Sequence, residues 1–160
     1  QLFWNDGTGR LVDAGPAAGP VFARPLVARG LALGDLEGDG DADVLLSTNG
    51  GAPHLLRNDA AGGAGGHALV LRLRGDGPGR NALGAVVTVH AGGRAQSLRV
   101  CTGASYLSHS SPVLRFGLAG EARAQLSVRW PDGRVQALGE LAAGRYDVTP
   151  GRGAGHQAAR

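Results

Sequence analysis

The chain has 160 residues, 42% of them apolar, enough to bury a modest core as one ordinary domain or two small ones. Its 29 glycines and 8 prolines follow no collagen period and indicate tight turns between short strands, which favours an all-β fold. The net charge of +3 comes from single, scattered arginines without an aromatic stacking motif, so we expect no nucleic-acid partner. No run approaches the roughly eighteen apolar residues of a membrane span, and none is expected.

The first part of the chain contains an internal sequence repeat. The stretch "QLFWNDGTG" at residues 1–9 returns 53 positions later as "HLLRNDAAG" at residues 54–62. A period of this size is typical of propeller blades, which cannot bury their own faces. Because the chain begins with Gln and contains no Met, we expect residues 1–60 to be the last blade of a longer protein, packed against upstream blades of the parent chain.

The first sixty residues contain the pattern of short strands and turns. "RLVDAG" predicts the second arm of a hairpin, and the Pro/Gly-rich segment 14–25 predicts a connection. Three further strands are predicted at residues 29–34, 43–48 and 54–58. The glycine-rich residues 61–66 predict a flexible linker and a domain boundary.

An acidic loop lies between two of these strands, in "GDLEGDGDADVLLS". Its five acids are Asp35, Glu37, Asp39, Asp41 and Asp43. Four of them occupy positions 1, 3, 5 and 9 around a glycine at position 6, and position 7 would offer its backbone carbonyl, an arrangement of hard oxygen ligands that suits calcium. Two such charges about 4 Å apart repel by roughly 4 kcal/mol at an effective dielectric near 20, and no Lys or Arg lies between Arg29 and Arg57 to neutralise them locally.

Two alternatives to this calcium site follow from the same residues. An EF-hand fails at position 12, where Leu46 replaces the bidentate Glu, and the flanking segments are strand-like rather than helical. An acidic, solvated turn that binds nothing specific remains open.

The stretch "ALGDLEGDGDADVLLSTNGGAPHLLRND" resembles the FG-GAP or VCBS repeat, a propeller blade whose loop has the form D-x-D-x-D-G-x-x-D. The resemblance implies side-chain ligands from Asp35, Glu37, Asp39 and Asp43 and a carbonyl ligand from Asp41. Glu37 departs from the usual Asp or Asn at its position.

The second half changes to clear alternation of apolar and polar residues, as in "LVLRLR" and "LSVRW". Over residues 67–150 we predict a small sandwich or barrel of seven short antiparallel strands. The strands are expected around residues 69–73, 84–91, 94–101, 113–118, 126–130, 134–140 and 145–149. Residues 151–160 are predicted to be a disordered tail.

This half is similar to the ASPIC/UnbV domain of the cartilage acidic protein-like family. The resemblance rests on "NALGAVVTVHAGGRAQSLRVCTGASYLSHSSPVLRFGLAG" followed by "LSVRWPDGRVQ". A repeat followed by this domain is also the order found in that family. The resemblance implies an architecture and supplies no mechanism, so a catalytic activity would have to be argued from the residues themselves.

A catalytic interpretation finds little support in the residues. Ser105, Ser108, His109 and the neighbouring serines form a cluster, but no G-x-S-x-G elbow precedes it, so we predict a polar loop. The five histidines show no zinc spacing. Trp130 is expected in the core, and Cys101, the single cysteine, is expected to be a small buried side chain.

Together these patterns predict an all-β chain, a partial propeller blade followed by a small antiparallel β-sandwich, from a secreted bacterial protein. We expect it to be a non-catalytic calcium-binding module, located outside the cell or in the periplasm, that serves adhesion and binds a protein or glycan partner. The alternative is a carbohydrate-binding module or the accessory domain of a secreted enzyme.

Overall fold

The computed structural model describes residues 1–39, 41–59, 67–76 and 81–156. The linker predicted at residues 61–66 lies outside these ranges, as do Gly40 of the acidic loop and residues 157–160 of the predicted tail. Within them the chain is all-β, as predicted, with two short helical turns.

The elements follow one another in this order. The strands are β1 (Phe3–Asn5), β2 (Leu11–Asp13), β3 (Ala28–Gly34), β4 (Asp43–Thr48), β5 (His54–Leu56), β6 (His67–Leu73), β7 (Val86–Ala91), β8 (Arg94–Arg99), β9 (Gly103–Ser105), β10 (Ser108–His109), β11 (Leu114–Ala119), β12 (Arg123–Arg129), β13 (Val135–Ala142), β14 (Gly144–Val148) and β15 (Gly155–His156). Between β2 and β3 lie the α-helix α1 (Gly15–Ala18) and a 3₁₀ helix (Pro20–Ala23).

The first half forms two separate antiparallel sheets, the hairpin β1-β2 and the three-stranded sheet β3-β4-β5. The predicted hairpin is present, and the predicted strands lie within two residues of their expected ends. The connection over residues 14–25 contains α1 and the 3₁₀ helix, each with a proline in its first turn, where a missing N–H costs no hydrogen bond. The propeller blade itself stays a prediction.

The second half is a sandwich of two four-stranded sheets, β11-β6-β14-β15 and β13-β12-β7-β8. The seven predicted strands are present, and an eighth, β15, lies within residues 151–160, where we expected a disordered tail; it is ordered because it pairs with β14 at the edge of the sheet. The sandwich is also not wholly antiparallel, since β14 runs parallel to β6. The parallel pairing is possible because most of the other sandwich strands lie between β6 and β14 in the chain, so no tight hairpin joins these two strands.

The alternating residues of both sheets meet in one core. Leu69, Leu71 and Val87 are fully buried, and so is Phe116. Trp130 is 3% exposed, which confirms its predicted place in the core, and its Nε1 donates a hydrogen bond to Gln136 at 2.9 Å. The buried polar end of the indole is thereby satisfied.

Strand β3 is covered along one edge by the loop that carries β9 and β10, residues 103–111, which we call the serine loop. The N–H groups of Leu31 and Leu33 donate to the hydroxyls of Ser105 and Ser110, both at 3.1 Å. The N–H of Ser111 donates to the carbonyl of Leu33 at 2.9 Å. These bonds fasten the first half of the chain to the sandwich and place the acidic loop against it.

Candidate functional site

The acidic loop, residues 35–43, joins β3 to β4 and ends at the first residue of β4. Asp43, the first residue of β4, is 2% exposed. Its two carboxylate oxygens accept hydrogen bonds from the N–H of Leu36 at 2.8 Å and the N–H of Asn58 at 3.0 Å. The N–H groups of Asn58 and Leu36 hold the pKa of Asp43 below its usual value. Asp43 therefore joins the acidic loop to the segment that follows β5.

Asp35 forms the contact between the acidic loop and the sandwich. One of its oxygens accepts from the N–H of Gly38 at 2.7 Å, and the other lies 2.6 Å from a guanidinium nitrogen of Arg145 and 3.7 Å from one of Arg115. Arg145 also donates to the carbonyl of Gly38 at 2.7 Å. Burial raises the pKa of Asp35, but the hydrogen bond and charge of Arg145 outweigh it and hold that pKa below its usual value.

The remaining acids of the loop have weaker partners. Glu37 lies 3.4 Å from Arg57, and burial together with the neighbouring Asp43 carboxylate raises the pKa of Glu37. The Oδ1 atom of Asp39 accepts from the N–H of Asp41 at 3.0 Å. The Oδ2 atom of Asp41 is buried and has no hydrogen-bond partner within the described residues. Among these acids, Asp41 thus presents an oxygen that could accept a cation without losing a protein partner.

The predicted ligands lie in one turn, but their oxygens do not converge. Over the described parts of the chain, no group of three or more His, Cys, Asp or Glu side chains is arranged to hold a metal ion. The reason is that the carboxylates of Asp35 and Asp43 cap backbone N–H groups or pair with arginine. The donor set has the chemistry of a calcium site, and it would need Asp35 to leave Arg145.

No arginine lies near the acidic loop in sequence, as expected, but two arginines lie beside it in the folded structure. Arg115 and Arg145 come from the far strands of the sandwich. Sequence reasoning missed them because they are separated from Asp35 by 80 and 110 residues, which leaves no local pattern. One signal was present, since residues 1–66 are net acidic and residues 67–150 are net basic.

The serine cluster has a structural role. Ser105 and Ser110 accept hydrogen bonds from β3, and the hydroxyl of Ser108 donates to the carbonyl of Tyr106 at 3.0 Å. These hydrogen bonds hold the serine loop in place. They agree with the prediction that this segment is a polar loop. Cys101 is exposed, so the expectation of a buried side chain is wrong; the neighbouring Val100, 2% exposed, fills the core instead.

Comparison with known proteins identifies the second half of the chain. The ASPIC and UnbV family matches residues 75–154, which is half of the sequence and contains six of the eight strands of the sandwich. No curated protein matches the chain. No helix in the described ranges is long and apolar enough to cross a membrane. The match does not reach the first half, whose likeness to the FG-GAP or VCBS repeat stays a prediction. Because the match covers half of the sequence, the chain belongs to the ASPIC and UnbV family.

Proposed function

We propose that this chain is a non-catalytic module of a secreted protein, that its acidic loop binds one calcium ion, and that it serves adhesion or the binding of a protein partner. The observation that carries the proposal is the loop itself. Five acids lie within nine residues, the carboxylates of Glu37 and Asp43 are close enough for one to raise the pKa of the other, and Asp41 has a buried oxygen without a protein partner in the described residues.

A calcium ion in this loop would compete with Arg145 for the carboxylate of Asp35. Arg145 holds that carboxylate at 2.6 Å, and a calcium ion bound by the loop would replace it. The ion's charge would then offset the repulsion between Glu37 and Asp43. Because a bound ion stabilises the folded loop, calcium adds its binding free energy to the stability of the first half of the chain.

A calorimetric calcium titration of the whole chain tests the proposal, with thermal melts in calcium and in EDTA. We expect one ion per chain, a higher melting temperature with calcium, and loss of both effects in Asp39→Ala. Glu140→Ala is the matched control, because Glu140 is an exposed carboxylate of β13 that pairs with Arg123 at 2.7 Å and lies outside the loop. Arg145→Gln is expected to bind calcium more tightly than the wild type, since it removes the competitor for Asp35.

Two results would contradict the calcium site. One is a wild-type chain that is folded by circular dichroism and neither binds calcium nor changes its melting temperature. The other is Asp39→Ala binding as tightly as Glu140→Ala, which would assign any binding to scattered surface carboxylates.

Exposed apolar side chains support packing of the first half against another protein surface. Leu11 is 62% exposed, Trp4 64% and Phe3 51%, and all three belong to the hairpin β1-β2. An upstream blade of the parent chain would cover such a surface, because propeller blades bury their faces against neighbours. The family's extracellular-type domain supports a location outside the cell or in the periplasm, where calcium is plentiful.

The exposed Trp4 also favours a second candidate, a glycan-binding module, since an exposed indole can stack on a sugar ring. Intrinsic fluorescence separates the two. Soluble glycans that shift Trp4 emission in the wild type and not in Trp4→Phe would favour the glycan-binding module. A fluorescence spectrum that glycans leave unchanged would leave the protein-partner module.

A further inference from the structure

A cavity of about 140 Å³ lies where the acidic loop meets the outer face of the sheet β11-β6-β14. Three arginines, Arg72, Arg115 and Arg145, share its wall with Asp35 and Ser111. None of these arginines is close to another in sequence. The cavity is therefore a product of the way the strands pair.

The strand register explains why the arginines converge. Val70, in the middle of β6, is paired with Arg115 of β11 on one side and with Arg145 of β14 on the other. Residues opposite one another on adjacent strands project from the same face of the sheet. Arg72 lies two residues further along β6 and so projects from that face as well. The opposite face carries Leu69 and Leu71 into the core.

The charges in this cavity do not balance. Three guanidinium groups share the cavity wall with one carboxylate, that of Asp35, which leaves two positive charges without a counter-charge in that wall. Asp147 lies opposite Arg72 on β14, and its carboxylate is paired with Arg74 at 3.4 Å. Arg115 is 18% exposed, and its Nε is buried without a hydrogen-bond partner among the described residues. Arg72 is exposed and forms no hydrogen bond or ion pair within the described parts of the chain. Donors and charge are thus available to a ligand that supplies acceptors and negative charge.

We propose that this cavity binds an oxoanion with two negative charges, a sulfate or phosphate group. Guanidinium groups bind such groups with paired N–H donors, and Ser111, a residue with a hydroxyl group, also lines the cavity. A volume of 140 Å³ holds one such group with a few waters, since each liquid water occupies about 30 Å³. The proposal does not rest on calcium binding, because the excess positive charge is present while Asp35 is paired with Arg145.

Calorimetric titration of the whole chain with sodium sulfate and with sodium phosphate tests this site, in EDTA and at constant ionic strength. We expect one bound anion per chain and about tenfold weaker binding in Arg72→Gln, as for the loss of one charge-assisted hydrogen bond. Arg72 has no protein partner in the described residues, so its substitution leaves the fold intact. Arg129→Gln is the matched control, because Arg129 is also an exposed strand arginine and belongs to the opposite sheet.

The proposal is overturned if the wild type binds neither anion, or if Arg72→Gln and Arg129→Gln bind as tightly as the wild type. Because the titration is carried out in EDTA, its failure does not bear on the calcium site. Arg115→Gln, checked for folding by circular dichroism, should weaken binding further than Arg72→Gln. The source of the group is separated by titrating dextran sulfate against unmodified dextran. Tighter Arg72-dependent binding of dextran sulfate than of free sulfate assigns the group to a sulfated polymer, and equal binding assigns it to the free ion.

Discussion

Gly30 lies at the closest approach between β3 and the serine loop, and Gly30→Ala tests whether that junction exists. A methyl group at this position would lie 2.9 Å from the Oγ of Ser47, 3.0 Å from the carbonyl oxygen of Tyr106, and closer still to the Oγ of Ser108. Side-chain oxygens can rotate away, but the carbonyl is part of the backbone and cannot. The serine loop must therefore move outward.

Two opposing effects set the change in the free energy of unfolding. Adding one methyl to a filled contact costs typically about 1–3 kcal/mol. Replacing glycine also restricts the unfolded chain, which returns about 0.4–1 kcal/mol. We expect Gly30→Ala to lower the free energy of unfolding by about 1–2 kcal/mol, and to speed hydrogen exchange at the amide of Ser111, which donates to Leu33.

Gly34→Ala is the matched control on the same strand, because a methyl group there meets no atom within 4 Å. Urea denaturation and hydrogen exchange with mass spectrometry measure both variants. The double variant Gly30→Ala/Ser108→Ala should recover part of the loss, since it removes the nearest oxygen. If Gly30→Ala unfolds at the same urea concentration as Gly34→Ala, and exchange in residues 103–111 is unchanged, the serine loop does not pack against β3 at Gly30.

Three further predictions concern the buried groups of the two halves. Asp43→Asn should speed amide exchange at Leu36 and Asn58, because the variant keeps one acceptor for two donors, whereas Asp59→Asn should leave both amides unchanged. The lowered pKa of Asp43 means that its carboxylate stabilises the fold fully above its usual pKa of 3.8, and that this contribution disappears as the pH falls through the lowered value. In EDTA, acid melts of the wild type should show this loss, and Asp43→Asn should flatten it. Phe116→Ala removes a fully buried ring, so urea denaturation should show a loss of about 3–5 kcal/mol; a loss below 1 kcal/mol would contradict the core.

Local patterns in the sequence are enough to predict seven of the eight strands of the sandwich. The alternation in "LVLRLR" indicates that Leu69 and Leu71 face the core and Arg72 faces outward, and the structure confirms it. The turns "AGGR" and "PDGR" mark the ends of strands because glycine there adopts a positive φ, 73° at Gly93 and 88° at Gly133. The alternation of side chains along a strand and the residue types of a turn depend only on residues that are close in sequence. Both can therefore be recognised from the sequence alone.

The sequence alone also determined where the acids are concentrated, but only the tertiary structure decided what lies beside them. Asp35 meets Arg145 because β14 pairs with β6 in parallel and the serine loop holds β3 against the same sandwich. No spacing in the chain reports a parallel pairing between strands some seventy residues apart. Such a contact depends on register and on the packing of whole sheets, and its free energy comes from surfaces that exist only after folding. The five acids could therefore be identified from the sequence, whereas the arginines that share their site could be identified only from the tertiary structure.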